Sequence, residues 1–476
     1  MLAQKTGDMK DLDGKAIVSN LEAQIQILIS AMNQYLDENT LLATSAQSEA
    51  LEQSLQSQAR QLADLMMALQ LQKTMVSLEL QSDIKAFLKH CPRKYRHCGW
   101  RTINIRFSGG SIVPLSIAYY ARNCDQKKKG KGIYPALVLM GIHDRCTSGL
   151  VSEVSMTSAA LCSLDEAREV LKGRGIKLNI KTIRNIVKRF SSRARLLQKH
   201  DDTVFKVDTE TIKNRLVVVS VDGGRIRIRE TKRGPKTKKG RSRFKTDWRE
   251  PKLFIIYIVN DKGRQDKIFA PYIDGTMDGP DALFSMLAYY LKKINVSAAD
   301  KLLFIADGAL WIWDRIKALF SALRLDPSKC YELLDFYHAV EHLSSIANMK
   351  RQWTEKQRRA WVKKNRKRLK QGQSELVINV IKDICKGTQN KLLKRERAYF
   401  IKNRLRLSYL TAGELMMPIG SGAIESSIRR VVNLRLKGPC IFWNEDSANE
   451  MLMLRCYYKA GRWGMLNTWA TLPVVL

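Results

Sequence analysis

The order of apolar runs in this 476-residue chain predicts an α/β fold. Three runs follow one another, LVVVSVD (216–222), LFIIYIV (253–259) and KIFAPYI (267–273), each of strand length and rich in β-branched and aromatic residues. A helical pattern near 278–294 leads to LLFIAD (302–307), a further helix from about residue 310, and a short strand CYELLD (330–335). Two of these strands end alike, in a carboxylate followed by glycine: Asp222 before Gly223 and Gly224, and Asp307 before Gly308.

Three strands, a helix, a strand, a helix and a strand is the order of an RNase H-like core. In that layout the first and fourth strands are neighbours, which brings Asp222 and Asp307 together. The core is expected over 212–342 and 413–476, interrupted by a basic α-helical insertion at 343–412 whose densest patch is KKNRKRLK (363–370).

Three further regions are expected ahead of the core, at 1–89, 90–150 and 151–210. Residues 18–88 contain neither Pro nor Gly. Leu21, Ile25, Leu28, Met32 and Tyr35 step by four and three, as do Leu51, Leu55, Gln58, Leu62, Leu65 and Leu69, the spacing of a coiled-coil seam. The seam fits either a helical hairpin packed on its own chain or a dimerisation element. RTINIRF and SIVPLSIAYYAR flank SGG and read as a β-hairpin, followed by a basic loop QKKKGKG (126–132). In 163–190, Ser163 and Glu166 form a capping box for one helix and Gly175 closes a turn. Ile180, Ile183, Val187 and Phe190 then line one face of a second helix whose other side carries Lys181, Arg184, Asn185 and Lys188. This fits a helix-turn-helix that binds DNA, or a solvated basic helix.

The formal net charge is +36, which favours a polyanionic partner, most simply nucleic acid. Residues 1–89 are net −4, so the basic excess lies in the rest. There is no apolar run of 18 or more residues and no signal-peptide pattern, so a cytoplasmic, nucleoid-associated protein without a membrane partner is expected. The 9 cysteines form no CxxC pair. Cys91, Cys98, Cys124, His143 and Cys146 are the only zinc candidates, and their spacing matches no strong pattern.

Two carboxylates side by side at strand ends repel each other unless a divalent cation lies between them, and Mg²⁺ prefers such oxygen ligands. A third ligand is expected from IGSGAIESSIRRVVNLRL (419–436). There Glu425 has apolar neighbours at i+3 and i+7, Ile428 and Val432, and so should lie on or beside a core-facing stripe. Three carboxylates with two Mg²⁺ ions, or Mn²⁺ in their place, suit in-line phosphoryl transfer without a protein nucleophile.

VDGGRIRIR (221–229), ADGALWIW (306–313), LLDFYHAVEHL (333–343) and IGSGAIESSIRRVVNLRLKG (419–438), with Trp443, together resemble a DDE transposase of the ISKra-type bacterial insertion sequences, related to the Mutator-like transposases. The resemblance implies Asp222, Asp307 and Glu425 as a metal-binding catalytic triad, and Asp335 and His338 as an accessory D-x-x-H element near the active site. It implies the insertion between Asp307 and Glu425, double-stranded DNA as partner, and a homo-oligomer of at least two chains. Arg225 and Arg227, with the charged loop 231–249 expected to order only on DNA, and Arg435 and Lys437 are further candidate DNA contacts. The implied activity is cleavage at terminal inverted repeats followed by strand transfer. A nuclease that cuts without joining, or an inactive DNA-binding protein, are the alternatives.

Overall fold

A computed structural model describes residues 14–39, 42–122, 132–199, 204–205, 211–238 and 240–473. The chain divides into two units, Met1–His200 with Gly464–Leu476, and Asp201–Trp463. The last thirteen residues, assigned by the sequence to the core, therefore cluster with the first unit.

In the first unit, α1 (Gly14–Glu38) and α2 (Ser45–Met75) form a hairpin. Gly14 lies beside Gln72 and Val76, so the two helices run antiparallel. Thr44 opens α2 with a capping box to Gln47. Ile17, Leu21 and Ile25 of α1 and Leu65, Ala68, Leu71 and Met75 of α2 share one core with α3 (Leu78–His90), β1 (Tyr95–Arg106), β2 (Ile112–Arg122) and α4 (Pro135–Leu139). Two buried polar side chains fix the docking. Asp64 accepts from the Gly109 and Ser111 amides of the SGG turn at 2.8 and 3.0 Å. Gln72 exchanges two hydrogen bonds with the Ser116 backbone. Part of the predicted seam is thus used within the chain, whereas Ile27, Ile29, Leu36 and Leu42 near the α1–α2 connection remain exposed.

Helices α5 (Ser148–Ala160), α6 (Leu164–Gly173) and α7 (Ile180–Gln198) pack together in the same unit. Ser163 Oγ accepts from Glu166 N at 3.0 Å, while the Glu166 carboxylate accepts from Cys162 N rather than from Ser163 N. Ile183, Val187 and Phe190 are buried, and Lys181, Arg184, Asn185 and Lys188 are all exposed, as the period predicted. The basic loop, apart from Gly132, and Cys124 lie outside the described residues. Among the described residues no zinc-type cysteine and histidine cluster forms.

The second unit is α/β. Its five-stranded mixed sheet has the order β7-β6-β3-β8-β9, built from β3 (Leu216–Gly223), β6 (Lys252–Val259), β7 (Tyr272–Thr276), β8 (Lys301–Ala306) and β9 (Cys330–Leu334). β3 pairs antiparallel with β6 and parallel with β8, so the first and fourth core strands are neighbours as expected. α8 (Pro280–Lys293) and α9 (Leu310–Ala322) connect the later strands. β6 is buried along its whole length, which explains why its sequence is a continuous apolar run.

Two expectations are corrected. The third strand begins at Tyr272 rather than 267, because Pro271 has no amide to give to the ladder and Ile268 is exposed. The segment 231–249 is not a plain loop: β4 (Ile226–Thr231) and β5 (Phe244–Arg249) pair antiparallel into a separate two-stranded ribbon. The expected insertion is helical, formed by the end of α10 (Phe336–Asn348), α11 (Glu355–Lys370), α12 (Ser374–Ile384), α13 (Lys391–Lys402) and α14 (Tyr409–Glu414). On α11, Lys363, Lys364, Arg366, Lys367 and Lys370 are exposed. The chain then returns through α15 (Gly422–Ile428), a π turn at Arg429–Asn433, and α16 (Glu445–Lys459), which packs on β7.

Candidate active site

The site begins with strand register. β3 and β8 align Ser220 with Ile305, and β8 and β9 align Ala306 with Leu334. Continuing that register places Asp222, Asp307 and Asp335 in a row along the carboxyl ends of three adjacent parallel strands. In open α/β sheets this edge is where ligands bind. Glycine follows two of these aspartates for a spatial reason. A Cβ on Gly308 would lie 2.1 Å from the Tyr399 ring of α13, and one on Gly224 would lie 2.9 Å from Val432 in the π turn. The backbone is stripped bare so that the insertion and the C-terminal helices can approach the carboxylates.

The three aspartates have different surroundings. Asp222 accepts from its neighbour's amide, Gly223 N, at 2.6 Å. Burial raises its carboxyl to about 6, and the charge of Asp307 adds to the rise against that one hydrogen bond and the distant pull of His338. Asp307 Oδ1 accepts from Ala309 N at 3.0 Å, and Trp313 Nε1 donates to the Asp307 carbonyl at 2.6 Å. Asp335 is fully buried and caps α10, with Oδ1 accepting from His338 N at 2.7 Å and Oδ2 from Ser421 N. Burial by itself would raise this carboxyl, but His338 and Ser421 overcome it and hold it at about 2.

His338 Nδ1 lies 3.3 Å from Asp335 Oδ1, within ion-pair distance. The Asp335 carboxylate outweighs burial, and Glu341 and Asp307 add to it, raising the imidazole to about 9. His338 is therefore an imidazolium at neutral pH.

Glu425 reaches the same region from α15, with Ser421 Oγ donating to its Oε1 at 3.3 Å. It is exposed and lies beside the core-facing stripe rather than on it, flanked by the buried Ile424, Ser427 and Ile428 of that helix. The π turn at Arg429–Asn433 breaks the 3.6-residue period, so the i+7 relation to Val432 no longer marks a shared face. An open cavity of about 730 Å³ is lined by Asp222, Tyr337, His338, Glu341, Gly420 and Glu425, among others.

The residues expected as one triad are distributed over two adjoining groups. Asp222 sits electrostatically coupled to Asp307, whereas Glu425 joins Asp335 and His338, with ligand atoms of these three all within 4.8 Å of one another. The link is Asp335, which binds the Ser421 amide at the start of α15 and so draws Glu425 toward itself. Among the described residues this is the one His, Cys, Asp or Glu group of three so closely spaced.

Of the expected DNA contacts, Arg225 and Lys437 are exposed. Arg227 is half-buried and donates to Gly438 O at 2.6 Å. Arg435 is corrected: it is only 4% exposed, with its guanidinium 5.2 Å over the Trp443 ring, and so is interior to the unit. Sequence reasoning missed Tyr337 and Glu341 as cavity residues. The signal for Glu341 was present, since Asp335, His338 and Glu341 recur every three residues along one helical face. Comparisons with protein-family models, curated proteins and solved structures give no match for this chain.

Proposed function

We propose that the chain is a DNA transposase of the DDE type, with the second unit as an RNase H-like catalytic core. The observation that carries this reading is the row of strand-end aspartates, Asp222, Asp307 and Asp335, beside an open cavity lined by Asp222 and Glu425, in a chain of charge +36.

Three carboxylates are a chemically suitable donor set for a divalent cation, and Asp222, Asp307 and Glu425 are not gathered within ligand distance of one another as Asp335, His338 and Glu425 are. Asp222 is pushed to about 6 mainly by burial, with smaller contributions from the charges of Asp307 and Glu250, an environment that a bound cation would relieve. Asp222, Asp307 and Glu425 would hold Mg²⁺, or Mn²⁺, which when bound supplies Lewis-acid activation of the attacking oxygen and stabilisation of the leaving one. The chain's own residues do the rest. His338, cationic at neutral pH and lining the cavity, offers a charge-assisted contact to a phosphodiester oxygen. Asp335 fixes His338 in place and ties Ser421, and with it Glu425, to the sheet edge. In the proposed reaction, water displaces the 3′-oxygen at an element end, leaving a free 3′-hydroxyl and a 5′-phosphate on the flank. That hydroxyl then displaces a 3′-oxygen in target DNA, giving up its proton. The exposed bases of α7 and α11 supply phosphate contacts, and the exposed apolar end of the α1–α2 hairpin is the proposed surface for pairing two chains.

The test is purified full-length chain with labelled duplex carrying the element ends, with Mg²⁺ or Mn²⁺, beside Asp307→Asn. End-specific nicking lost in the variant, together with joined products, supports transposition. Nicking without joining supports the nuclease alternative. Retained nicking in the variant removes Asp307 from the chemistry. A folded wild type that binds DNA and never nicks refutes the enzyme reading.

A further inference from the structure

The β4–β5 ribbon has a sorted charge distribution. Between Arg225 and Arg249 the sequence holds twelve basic residues and two acidic ones. The register Ile226↔Arg249 to Thr231↔Phe244 decides where each goes. Ile226, Ile228, Glu230, Lys245, Asp247 and Arg249 share one face, where Ile226 and Ile228 are buried. Both acids are on that face and both are paired: Glu230 with Lys245 at 2.8 Å and Arg249 at 3.2 Å, and Asp247 with Arg249 at 3.6 Å. The opposite face carries Arg227, Arg229, Phe244, Thr246 and Trp248, with Arg225 continuing it, and no acid at all.

That second face is unusual in what it leaves to solvent. All six residues of β5 are exposed, including Phe244 at 45% and Trp248 at 48%. Arg225 and Arg227 lie over the Trp248 ring at 5.2 and 5.8 Å, and Arg227 over Phe442 at 4.6 Å. Cations interleaved with exposed aromatic rings suit the major groove of a duplex, with phosphates or base edges meeting the arginines and thymine methyl groups meeting the rings. The ribbon is also rigidly aimed. The other edge of β4 is held by Trp443, with Arg229 N donating to Trp443 O at 2.8 Å and Trp443 N to Arg227 O at 3.0 Å. The free edge of β5 has no strand partner among the described residues, and its charged Lys245, Asp247 and Arg249 disfavour strand addition by another protein chain.

We propose that this ribbon enters the major groove of B-form duplex DNA with its Arg225, Arg229, Phe244 and Trp248 face. A two-stranded ribbon fits that groove, about 12 Å wide, and is excluded from the deep, narrow major groove of A-form RNA. Six paired residues per strand span about 17–20 Å, enough to lie along the groove across several base pairs. Between the ribbon's connecting loop and Asn444 a concave surface lined by Arg229, Lys232, Lys238, Arg241 and Arg243 then receives the adjacent phosphates. The proposal rests on the reading of the chain as a DNA-acting protein only for the choice of DNA as the duplex.

The test uses full-length chain and fluorescence anisotropy with a labelled 30-base-pair DNA and the same-sequence duplex RNA, over a salt series. Phe244→Ala/Trp248→Ala should weaken DNA binding about tenfold with an unchanged salt slope, and Phe244→Tyr/Trp248→Phe should restore most of it. Lys238→Gln/Arg241→Gln/Arg243→Gln should flatten the slope of log K against log salt by about 2.7. Wild-type preference for DNA over duplex RNA should fall in the aromatic variant. Equal affinity of wild type for both duplexes, or wild-type DNA affinity in a folded aromatic variant, overturns the proposal. Nicking by the wild type separates the two readings. If it nicks while the ribbon variants bind as wild type, only the ribbon proposal fails. If it never nicks while the variants behave as expected, only the transposase reading fails.

Discussion

Asp222→Asn should stabilise the second unit at neutral pH while abolishing cleavage. The ordinary value of an aspartate is 3.8, and burial with the neighbouring Asp307 takes Asp222 to about 6. At about 1.4 kcal/mol per tenfold in acidity, that rise corresponds to about 3 kcal/mol against the ionised form. Asp222 keeps some contact with solvent, so about 2 kcal/mol is the working figure. The folded value lies above the unfolded one. The wild type is therefore favoured below pH 4 and loses this stability as pH rises through about 6. Asparagine keeps an oxygen for Gly223 N and carries no charge. In a unit of this size the variant should melt about 4–8 °C higher at pH 7.5, with the gap closing toward pH 4.5. The assay is thermal unfolding from pH 4.5 to 8, with and without Mg²⁺. Mg²⁺ should raise the wild-type Tm and leave the variant nearly unmoved. Equal Tm values across the whole range would refute the claim that the Asp222 charge is uncompensated.

Asp335→Asn should do the opposite and destabilise by about 2–3 kcal/mol at pH 7, because a carboxylate held at about 2 contributes stability that is full above 3.8 and lost as pH falls through about 2; denaturant unfolding at pH 7 and pH 2 reads the difference, which should close at the lower pH. His338 should titrate near 9 in an NMR pH series, its contribution to stability being complete below 6.5 and lost as pH rises through about 9, and Asp335→Asn should return it toward 6.5. Gly308→Ala should cost about 1–3 kcal/mol, since the new methyl meets the Tyr399 ring, and the cost should shrink in a Tyr399→Ala background when both are measured in one double-mutant cycle.

The strands and their carboxylates were legible because local signals and burial agree there. The β6 run is apolar throughout because both of its faces are covered, and Asp222 and Asp307 break otherwise uniform strands at the point where the strands end. The basic face of α7 was legible for the same reason, since period and charge coincide. β5 was not, because half of its residues are charged and all six are exposed; only the alternation of Phe244, Thr246 and Trp248 marked it as a strand. Arg435 was misplaced because a buried arginine and a DNA-facing one look alike in sequence, and only the Trp443 ring over which it packs tells them apart. Glu425 was placed in the right region on a faulty period, since nothing in RRVVN announces a π turn.

The two carboxylate groups also divide the chemistry. By distance alone, Asp335, His338 and Glu425 form the tightest set of possible ligands. Their bonding argues against a cation there. Asp335 has one oxygen committed to His338 N and the other to Ser421 N, and its charge is already balanced by an imidazolium that has no free lone pair to give. Asp222 and Asp307 present the reverse case, two neighbouring carboxylates that each accept one backbone hydrogen bond and, among the described residues, form no salt bridge, with only the weaker pull of the His338 charge on Asp222. Environments that drive Asp222 up to about 6 and Asp335 down to about 2 assign them separate tasks. The first waits for positive charge from outside the chain, and the second spends its charge on orientation. Glu425 is common to both, carried by the helix that Asp335 anchors and facing the cavity that Asp222 lines. On the proposed function, Asp335 and His338 are a positioning device for the third carboxylate, and their loss should misplace Glu425 while leaving Asp222 and Asp307 where the sheet puts them.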